Sequence, residues 1–328
     1  MSSNLTYAQQ APGATGVDPN HPLRARFRIV DREAALIEPV DGVWRKKIAI
    51  CGFAASSRML APFDDPSWYI AGLNQLYRHI PRADCWWDIH ENFASENVEG
   101  TDHPGYLAEC GMPVFMTKTE PTIPTSVRYP IERITEKVVG CDYFTSTVAF
   151  MVAWAIDAID QQVEAEVTAL DQRANALNGP ETQADAEDAL TLLRHPGKFR
   201  QWLKDRYAER EIGIFGIDLI VGTEYDWQKS CVEYILGLAN ARGITVRIPP
   251  QSALLKQRWR YGYETEPQGG LIQLTELQKR AAALANERNQ LIARLQTIDG
   301  AVQENSYWAQ VADLRSKGGS VKLNESTE

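Results

Sequence analysis

The chain has 328 residues, which at about 150 residues per domain predicts two domains or one large domain with insertions, and excludes a single short module. Hydrophobic residues make up 44% and charged residues 23%, a balance that excludes a wholly disordered or collagen-like chain. Forty-three acidic residues against 34 basic ones give a net charge of −9 at pH 7. We therefore expect no nucleic-acid partner, because phosphates are repelled unless a local basic patch is present.

The composition of residues 1–22, rich in Ser, Asn, Gln, Gly and Pro, predicts a flexible tail or an arm that lies along a partner. This segment lacks the basic and apolar regions of a secretory signal, and no run of about 18 uncharged apolar residues occurs in the chain. We therefore expect a soluble, cytoplasmic protein with no membrane partner. Scattered cysteines without a CxxC pair predict reduced core thiols at Cys51, Cys85, Cys110, Cys141 and Cys231.

From residue 47 onward, short apolar runs alternate with polar turns and helical stretches. Runs of four to eight apolar residues with helices between them are typical of buried parallel strands. We therefore predict an α/β fold with a mostly parallel sheet and helices on both faces. The predicted strands are 48–53, 68–74, 85–90, 113–117, 212–221 and 244–249.

A helical region separates the fourth and fifth predicted strands. Apolar residues recur every three or four positions from 156 to 177, which predicts an amphipathic helix. Stop signals at 178–180 precede a second helical stretch at 181–194. We interpret this region as a helical hairpin inserted into the α/β domain.

The C-terminal third contains a heptad pattern. Its positions are separated alternately by three and four residues, and eight of the nine are apolar: Leu274, Leu277, Ala281, Leu284, Arg288, Leu291, Leu295, Ile298 and Val302. This spacing predicts a long, coiled-coil-like helix in which Arg288 fixes the register at some cost in stability. Pairing across subunits would make the protein a homo-oligomer, whereas a long helix lying on the α/β body would have the same pattern.

These patterns divide the chain into six predicted segments. They are a tail (1–22), the first part of the α/β domain (23–155), the helical insertion (156–210), the second part of the α/β domain (211–265), the C-terminal helix (270–315) and a second tail (316–328).

Polar residues at the ends of the predicted strands are the candidate ligand-binding residues, because open α/β sheets bind ligands beyond the carboxyl ends of their strands. After the first strand, Gly52 permits close backbone approach, and Ser56 and Ser57 can bind a phosphate. A plain strand-to-helix turn explains this loop equally well, since it lacks the other glycines of a dinucleotide fingerprint. Asn74, after the second strand, offers an amide to a ligand or simply forms a turn.

Further candidates follow later elements. Thr145 and Ser146 place hydroxyls at the positive end of a helix, which favours an anion, although N-capping explains them too. Asp218 and Glu224 follow the fifth strand and are candidates for binding ribose hydroxyls or for general-base catalysis, while Asp218 is also a candidate turn cap. His90 is a third candidate base, with a structural histidine as the alternative.

A cationic and aromatic segment lies at 254–264. Lys256, Arg258 and Arg260 alternate with aromatic residues, a pattern that can contact phosphates or an acceptor sugar. An exposed amphipathic edge has the same pattern.

Four short motifs occur in the order of a known group of enzymes. They are CGFAAS at 51–56, LNQLY at 73–77, TSTV at 145–148 and GID at 216–218. The layout resembles that of bacterial CMP-sialic acid sialyltransferases and motility-associated glycosyltransferases, in which the corresponding motifs are CGNGPS, CNQxY, TSG followed by V, and GID. The chain also resembles uncharacterised bacteriophage proteins, through GFAASSR, APFDDP, GLNQLY and RGITVRIPPQSALLK.

The resemblance covers about 47–160 and 211–255. It implies a Rossmann-like fold and the metal-independent, cofactor-free transfer of a sugar from a nucleotide-activated donor to a hydroxyl. Position by position, it implies nucleotide contacts at Ser56, Asn74, Thr145 and Ser146, and a site lined by Gly216 and Asp218.

Two departures from the family pattern support a second hypothesis. Phe53 stands where the sialyltransferases have an asparagine that contacts the donor, and no histidine follows GID where their general base lies. The alternative is therefore a non-catalytic phage protein that keeps a nucleotide-binding fold and acts in assembly or nucleotide sequestration.

Overall fold

The computed structural model describes residues 16–18, 21–25, 27–30, 32, 34–37, 45–93, 102–176, 180–219, 223–256 and 274–317. The chain forms two compact units, Met1–Lys256 and Gln257–Glu328. The described part of the first unit is an α/β sheet with its helices, and that of the second is one long helix. Within these ranges, no helix has the length and apolar character needed to cross a membrane.

Seven of the described strands form one parallel sheet in the order β7-β6-β5-β4-β3-β8-β9, and β1 and β2 pair separately as an antiparallel hairpin. The predicted α/β class with a parallel sheet is therefore confirmed, and the layout is Rossmann-like. The strands are β1 (Phe27–Val30), β2 (Ala34–Ile37), β3 (Lys47–Cys51), β4 (Trp68–Leu73), β5 (Cys85–Trp87), β6 (Val114–Met116), β7 (Ser126–Arg128), β8 (Glu211–Phe215) and β9 (Thr245–Arg247).

Helices lie on both faces of the sheet. The long helices α3 and α6 pack on one face, whereas α1 and two short 3-10 turns, Arg58–Leu60 and Leu76–Arg78, cover the other. The described α-helices are α1 (His103–Glu109), α2 (Ile131–Ile134), α3 (Thr147–Ala174), α4 (Pro180–Arg194), α5 (Pro196–Ala208), α6 (Thr223–Arg242) and α7 (Leu274–Ser316).

The apolar runs form strands because both faces of the sheet are covered. In β3, Ile48 and Ile50 pack with α3 and α6, whereas Ala49 and Cys51 point to the opposite face. Alternate side chains of a strand point to opposite faces, so a strand covered on both sides is apolar at nearly every position.

All seven strands are parallel, but the order in which the chain adds them to the sheet reverses between β3 and β8, a place that we call the strand reversal. From β3 the chain adds β4, β5, β6 and β7 outward on one side, and then returns through α3, α4 and α5 to place β8 on the other side of β3. Neighbouring strands whose connections run in opposite directions leave a crevice at their carboxyl ends. The loops after β3 and β8 therefore meet at the place where this fold class binds its ligands.

Several predicted element boundaries are wrong. The strands predicted to reach residues 90 and 221 end at Trp87 and Phe215. The second ends early because the next residue, Gly216, adopts φ +68°, which breaks the extended conformation. The prediction missed β1, β2 and β7. The helix predicted to open at Thr145 and Ser146 is confirmed as α3, which starts at Thr147, and α5 follows the predicted hairpin as a third helix of this region.

Two further predictions need correction. Backbone N–H groups of Val17 and Asp18 donate to the carbonyls of Tyr77 and Pro81 at 2.8 and 3.0 Å, so this part of the predicted tail is fixed to the first unit. Cys141 is exposed, while the other four cysteines are buried and reduced as predicted. Residues 1–15 and 318–328 of the predicted tails lie outside the described residues.

Candidate functional site

The loops after β3 and β8 contact each other through two glycines. The N–H groups of Gly52 and Ala54 donate to the carbonyl oxygens of Phe215 and Gly216 at 2.8 and 2.7 Å. A Cβ on Gly52 would lie 2.6 Å from the Gly216 oxygen, and one on Gly216 would lie 2.4 Å from the Gly52 oxygen. Gly52 therefore permits close approach of the loop after β8 rather than of a ligand. The N–H groups of Gly52 and Ala54 are already hydrogen-bonded to that loop.

We expect Gly216→Ala to lower the free energy of unfolding by at least about 1–2 kcal/mol, the cost of placing a residue with a side chain in the left-handed region. The steric conflict with Gly52 adds to this cost. Chemical denaturation of both proteins measures the difference.

The matched control is Gly237→Ala in α6, where a Cβ meets open space. Because alanine favours helices, this substitution is expected to raise the free energy of unfolding by about 0.5–1 kcal/mol. Equal effects of the two substitutions would contradict the assigned role of Gly216.

Four predicted residues meet at this strand reversal. Ser56 Oγ donates to Asp218 Oδ2 at 2.7 Å, and the Gly216 N–H donates to the buried Ser57 Oγ at 2.9 Å. The other carboxylate oxygen of Asp218, Oδ1, is buried and has no hydrogen-bond partner among the described residues. A buried acceptor left without a donor costs about 1–3 kcal/mol, which a ligand hydroxyl placed there would recover.

Lys256 supplies a cation close to Asp218. Ser252 Oγ donates to the Ile217 carbonyl at 2.6 Å, which holds the segment after β9 against the loop after β8. The Lys256 ammonium donates to the Pro250 carbonyl. Burial lowers the pKa of Lys256, and the negative charge of Asp218 opposes that shift.

Asn74 lies at the end of β4, next to β3. Its φ of +48° is left-handed, its N–H donates to the Trp87 carbonyl at 2.9 Å, and its carbonyl accepts from Trp86 Nε1 at 2.9 Å. Asn74 therefore forms a turn, which is the second of the two roles that the sequence predicted for it. Its side-chain Oδ1 is a second buried acceptor without a partner in the described part of the chain.

His90 belongs to a buried carboxylate and histidine cluster at the end of β5. Asp88 is fully buried, and its Oδ1 lies 3.0 Å from His90 Nδ1 while its Oδ2 lies 2.6 Å from His103 Nε2. His103 is also fully buried and stacks on the Tyr77 ring. The His90 side chain is 38% exposed, so one histidine faces solvent and the other faces the core.

The environment of Asp88 favours its charged form. Burial raises its pKa, but hydrogen bonds from His103 and His90 and their positive charge outweigh burial, so the pKa lies below its ordinary value of 3.8. Folding therefore gains stability from this carboxylate above that ordinary value, and loses the gain as the pH falls through the lowered pKa. A carboxylate can only accept, so His90 Nδ1 carries a proton, and in the neutral form of the ring Nε2 is the basic nitrogen.

The sequence prediction included His90 but missed Asp88 and His103. The detectable signal was the D-x-H spacing immediately beyond an apolar run. The partner His103 lies 15 residues from Asp88 and at the start of α1, so only tertiary structure brings it to the carboxylate.

Thr145 and Ser146 make local contacts at the start of α3. Ser146 Oγ accepts from the Ala149 N–H at 3.2 Å as the N-cap, and Thr145 Oγ1 donates to the Trp227 carbonyl at 3.2 Å. These bonds match the N-capping alternative and tie α3 to α6. Among the described residues, no hydrogen bond joins Thr145 or Ser146 to the loop after β3.

The Phe53 side chain packs against other side chains of this chain. Its ring packs against buried residues on both faces of the sheet and meets His79 edge-on, with ring centroids 6.3 Å apart. Its carbonyl accepts from Arg58 Nη1 at 2.8 Å. The aromatic ring therefore has a packing role at the strand reversal.

Three predicted residues are not placed. Arg258 and Arg260 lie outside the described residues, and Glu224 is described only as part of the backbone of α6. Their roles stay predictions. Within the described ranges, no group of three His, Cys, Asp or Glu side chains is arranged to hold a metal ion.

Comparison with known proteins adds no relative. A scan against protein-family models, a search of curated proteins and a search of solved structures each return no match to this chain.

Proposed function

We propose that this chain binds a nucleotide-activated sugar at the carboxyl edge of its parallel sheet and transfers the sugar to a hydroxyl acceptor. The observation that carries the proposal is the meeting of Ser56, Ser57, Gly216 and Asp218 at the strand reversal, where Ser56 and Asp218 are hydrogen-bonded although 162 residues separate them in the chain. The Lys256 ammonium interacts electrostatically with Asp218. An acceptor carboxylate and an ammonium together suit a ligand that combines ribose hydroxyls with phosphate.

The ligand contacts follow from the groups present. Asp218 Oδ1 and Asn74 Oδ1 are buried acceptors, so each suits a hydroxyl or amino group of a nucleoside. Lys256 suits the phosphate as a point charge. The N–H groups of Gly52 and Ala54 are used by the loop after β8, so phosphate binding in this proposal relies on Lys256 rather than on a glycine loop.

The proposed general base is His90, positioned by Asp88. In the sheet order, β5 is three strands from β8, which separates their ends by roughly 14 Å at the usual strand spacing. This distance leaves room for a nucleotide bound near Asp218 to extend its sugar toward His90.

The transfer step balances without a cofactor. The acceptor oxygen bonds to the anomeric carbon, His90 Nε2 takes the hydroxyl proton, and the bond between the anomeric carbon and the phosphate oxygen breaks. The electron pair leaves with the nucleotide, whose developing charge Lys256 stabilises.

The binding test is thermal unfolding of the full chain with CMP, UDP and GDP and with their sugar conjugates. At 100 times its Kd, a ligand stabilises the folded state by about 2.7 kcal/mol, a shift that is readily measured. We expect Asp218→Asn to weaken the best ligand by about 10-fold or more, because hydrogen bonds to charged groups contribute about 1.5–3 kcal/mol.

The matched control for binding is Asp171→Asn, which changes the same group on the exposed face of α3. It should leave the ligand-induced shift unchanged. The binding proposal fails if none of the nucleotides stabilises the protein.

Two observations favour a second candidate function, a non-catalytic phage protein that binds a nucleotide and acts in assembly or sequestration. Phe53 packs at the strand reversal, and α7 carries large exposed apolar side chains that suit self-association into a homo-oligomer. Ligand-induced stabilisation without release of nucleotide from any donor would favour this candidate over the transferase.

A further inference from the structure

The helix α7 carries an exposed apolar stripe along the heptad pattern. The helix has 43 residues, which gives a length of roughly 64 Å. Leu284, Leu295, Ile298 and Val302 are each between 47% and 59% exposed. Large apolar side chains in a line on a long helix are the usual contact surface of a coiled coil.

The heptad assignment places a single charge inside this stripe. Ala281, Arg288, Leu295 and Val302 occupy a positions, whereas d positions are held by Leu277, Leu284, Leu291 and Ile298. From 277 to 302 the stripe has its midpoint between residues 289 and 290, next to Arg288. The orientation of a paired helix therefore decides what faces this guanidinium.

A parallel pair places like charges together. Its a positions face each other, so the two copies of Arg288 would share one layer of the apolar contact. It would also set two Ala281 side chains against each other in another layer. The flanking g and e positions would pair Arg294 with Asp299 favourably, but would leave Glu287 beside Ile292.

An antiparallel pair about that midpoint resolves both conflicts. Arg288 then faces Leu291 of the second copy and can extend its charged end to solvent along its aliphatic stem. Ala281 faces Ile298, so a small side chain meets a large one, which fills layers evenly. At the flanking g positions, Glu287 faces Arg294 of the second copy, and symmetry makes this attractive contact twice.

We propose that α7 pairs with the α7 of a second copy of this chain in antiparallel orientation, with Arg288 of each copy opposite Leu291 of the other. The inference rests on the proposed self-association, and it adds the orientation and register. Both are set by charge and side-chain size at named positions.

Cysteine cross-linking of the full chain tests the orientation. In a Cys141→Ser background, which removes the exposed native thiol, Ala281→Cys and Ile298→Cys are expressed separately and together in one cell. The antiparallel register puts position 281 of one copy opposite 298 of the other, whereas two copies of 298 lie about 26 Å apart along the axis. A disulfide needs Cα atoms within about 7 Å.

The expected result is a disulfide-linked dimer only when both variants are co-expressed. A cross-link of Ile298→Cys with itself would show a parallel pair and overturn the proposal. Light scattering of the reduced full chain separates the two possible failures. A monomer mass overturns self-association itself, whereas a dimer mass with the wrong cross-link overturns only the orientation.

Charge reversal supplies a second test on the same dimer. Glu287→Arg should raise the dimer Kd on the order of tenfold, because two attractive contacts become repulsive, and adding Arg294→Glu should restore it. Glu304→Arg, at a solvent-facing c position, is the matched control and should leave the Kd unchanged. Failure of the double variant to restore pairing would contradict the register.

Discussion

Replacing Asp84 with alanine is expected to lower the free energy of unfolding by about 3–5 kcal/mol, the usual cost of leaving a buried charge without its partner. Asp84 and Arg82 are both fully buried, and Arg82 Nη2 lies 3.0 Å from Asp84 Oδ2. Burial lowers the pKa of Arg82, and the charge of Asp84 opposes that shift. Removing the carboxylate therefore leaves the guanidinium without the charge that compensates its burial.

Asp84 also accepts two backbone hydrogen bonds that the substitution would remove. The N–H groups of Ala25 and Ile70 donate to its two carboxylate oxygens at 2.6 and 2.7 Å. The carboxylate thus links the segment before β1 to β4 in the parallel sheet. Chemical denaturation monitored by tryptophan fluorescence measures the loss.

Asp64→Ala is the control for Asp84→Ala, since Asp64 is exposed. Surface substitutions of this kind change stability by about 0.5 kcal/mol or less. A loss below 1 kcal/mol for Asp84→Ala would show that the buried ion pair does not stabilise this fold as the geometry indicates.

The second large effect is expected on catalysis. If His90 is the general base of the proposed transfer, His90→Gln should lower kcat by about 10²–10⁴-fold, because the glutamine amide is polar like the imidazole but cannot take a proton at neutral pH. The measurement is the rate of nucleotide release from the donor that gives the largest stabilisation. Nucleotide binding should stay unchanged, since Asp218 and Lys256 are untouched.

Asp88→Asn tests positioning rather than proton transfer. The amide no longer enforces protonation of His90 Nδ1, so kcat should fall while the KM for the donor stays the same. Because Asp88 also contacts the buried His103, thermal unfolding must show that the variant is folded.

His195→Gln, at the exposed start of α5, is the matched histidine control and should leave kcat unchanged. A rate unaffected by His90→Gln would remove His90 from the proposed mechanism. It would leave the binding proposal, which depends on other residues, intact.

The sequence alone determined the class of the fold and the heptad pattern of α7. Buried strands such as β3 and β4 are apolar at nearly every position, and the spacing from 274 to 302 is a local property of the chain. Such patterns depend on neighbours a few residues apart, so they can be read without knowledge of the rest of the molecule.

Only the tertiary structure decided which strand ends meet. The sheet order places β8 beside β3, and this alone brings Ser56 to Asp218, 162 residues away. The tertiary structure also showed that Gly52 lies against Gly216 and that Ser146 is the N-cap of its own helix, α3. Asp88 joins His90 to His103 across a loop in the same way. Strand order and side-chain pairing arise from contacts between distant segments, and no local pattern encodes them.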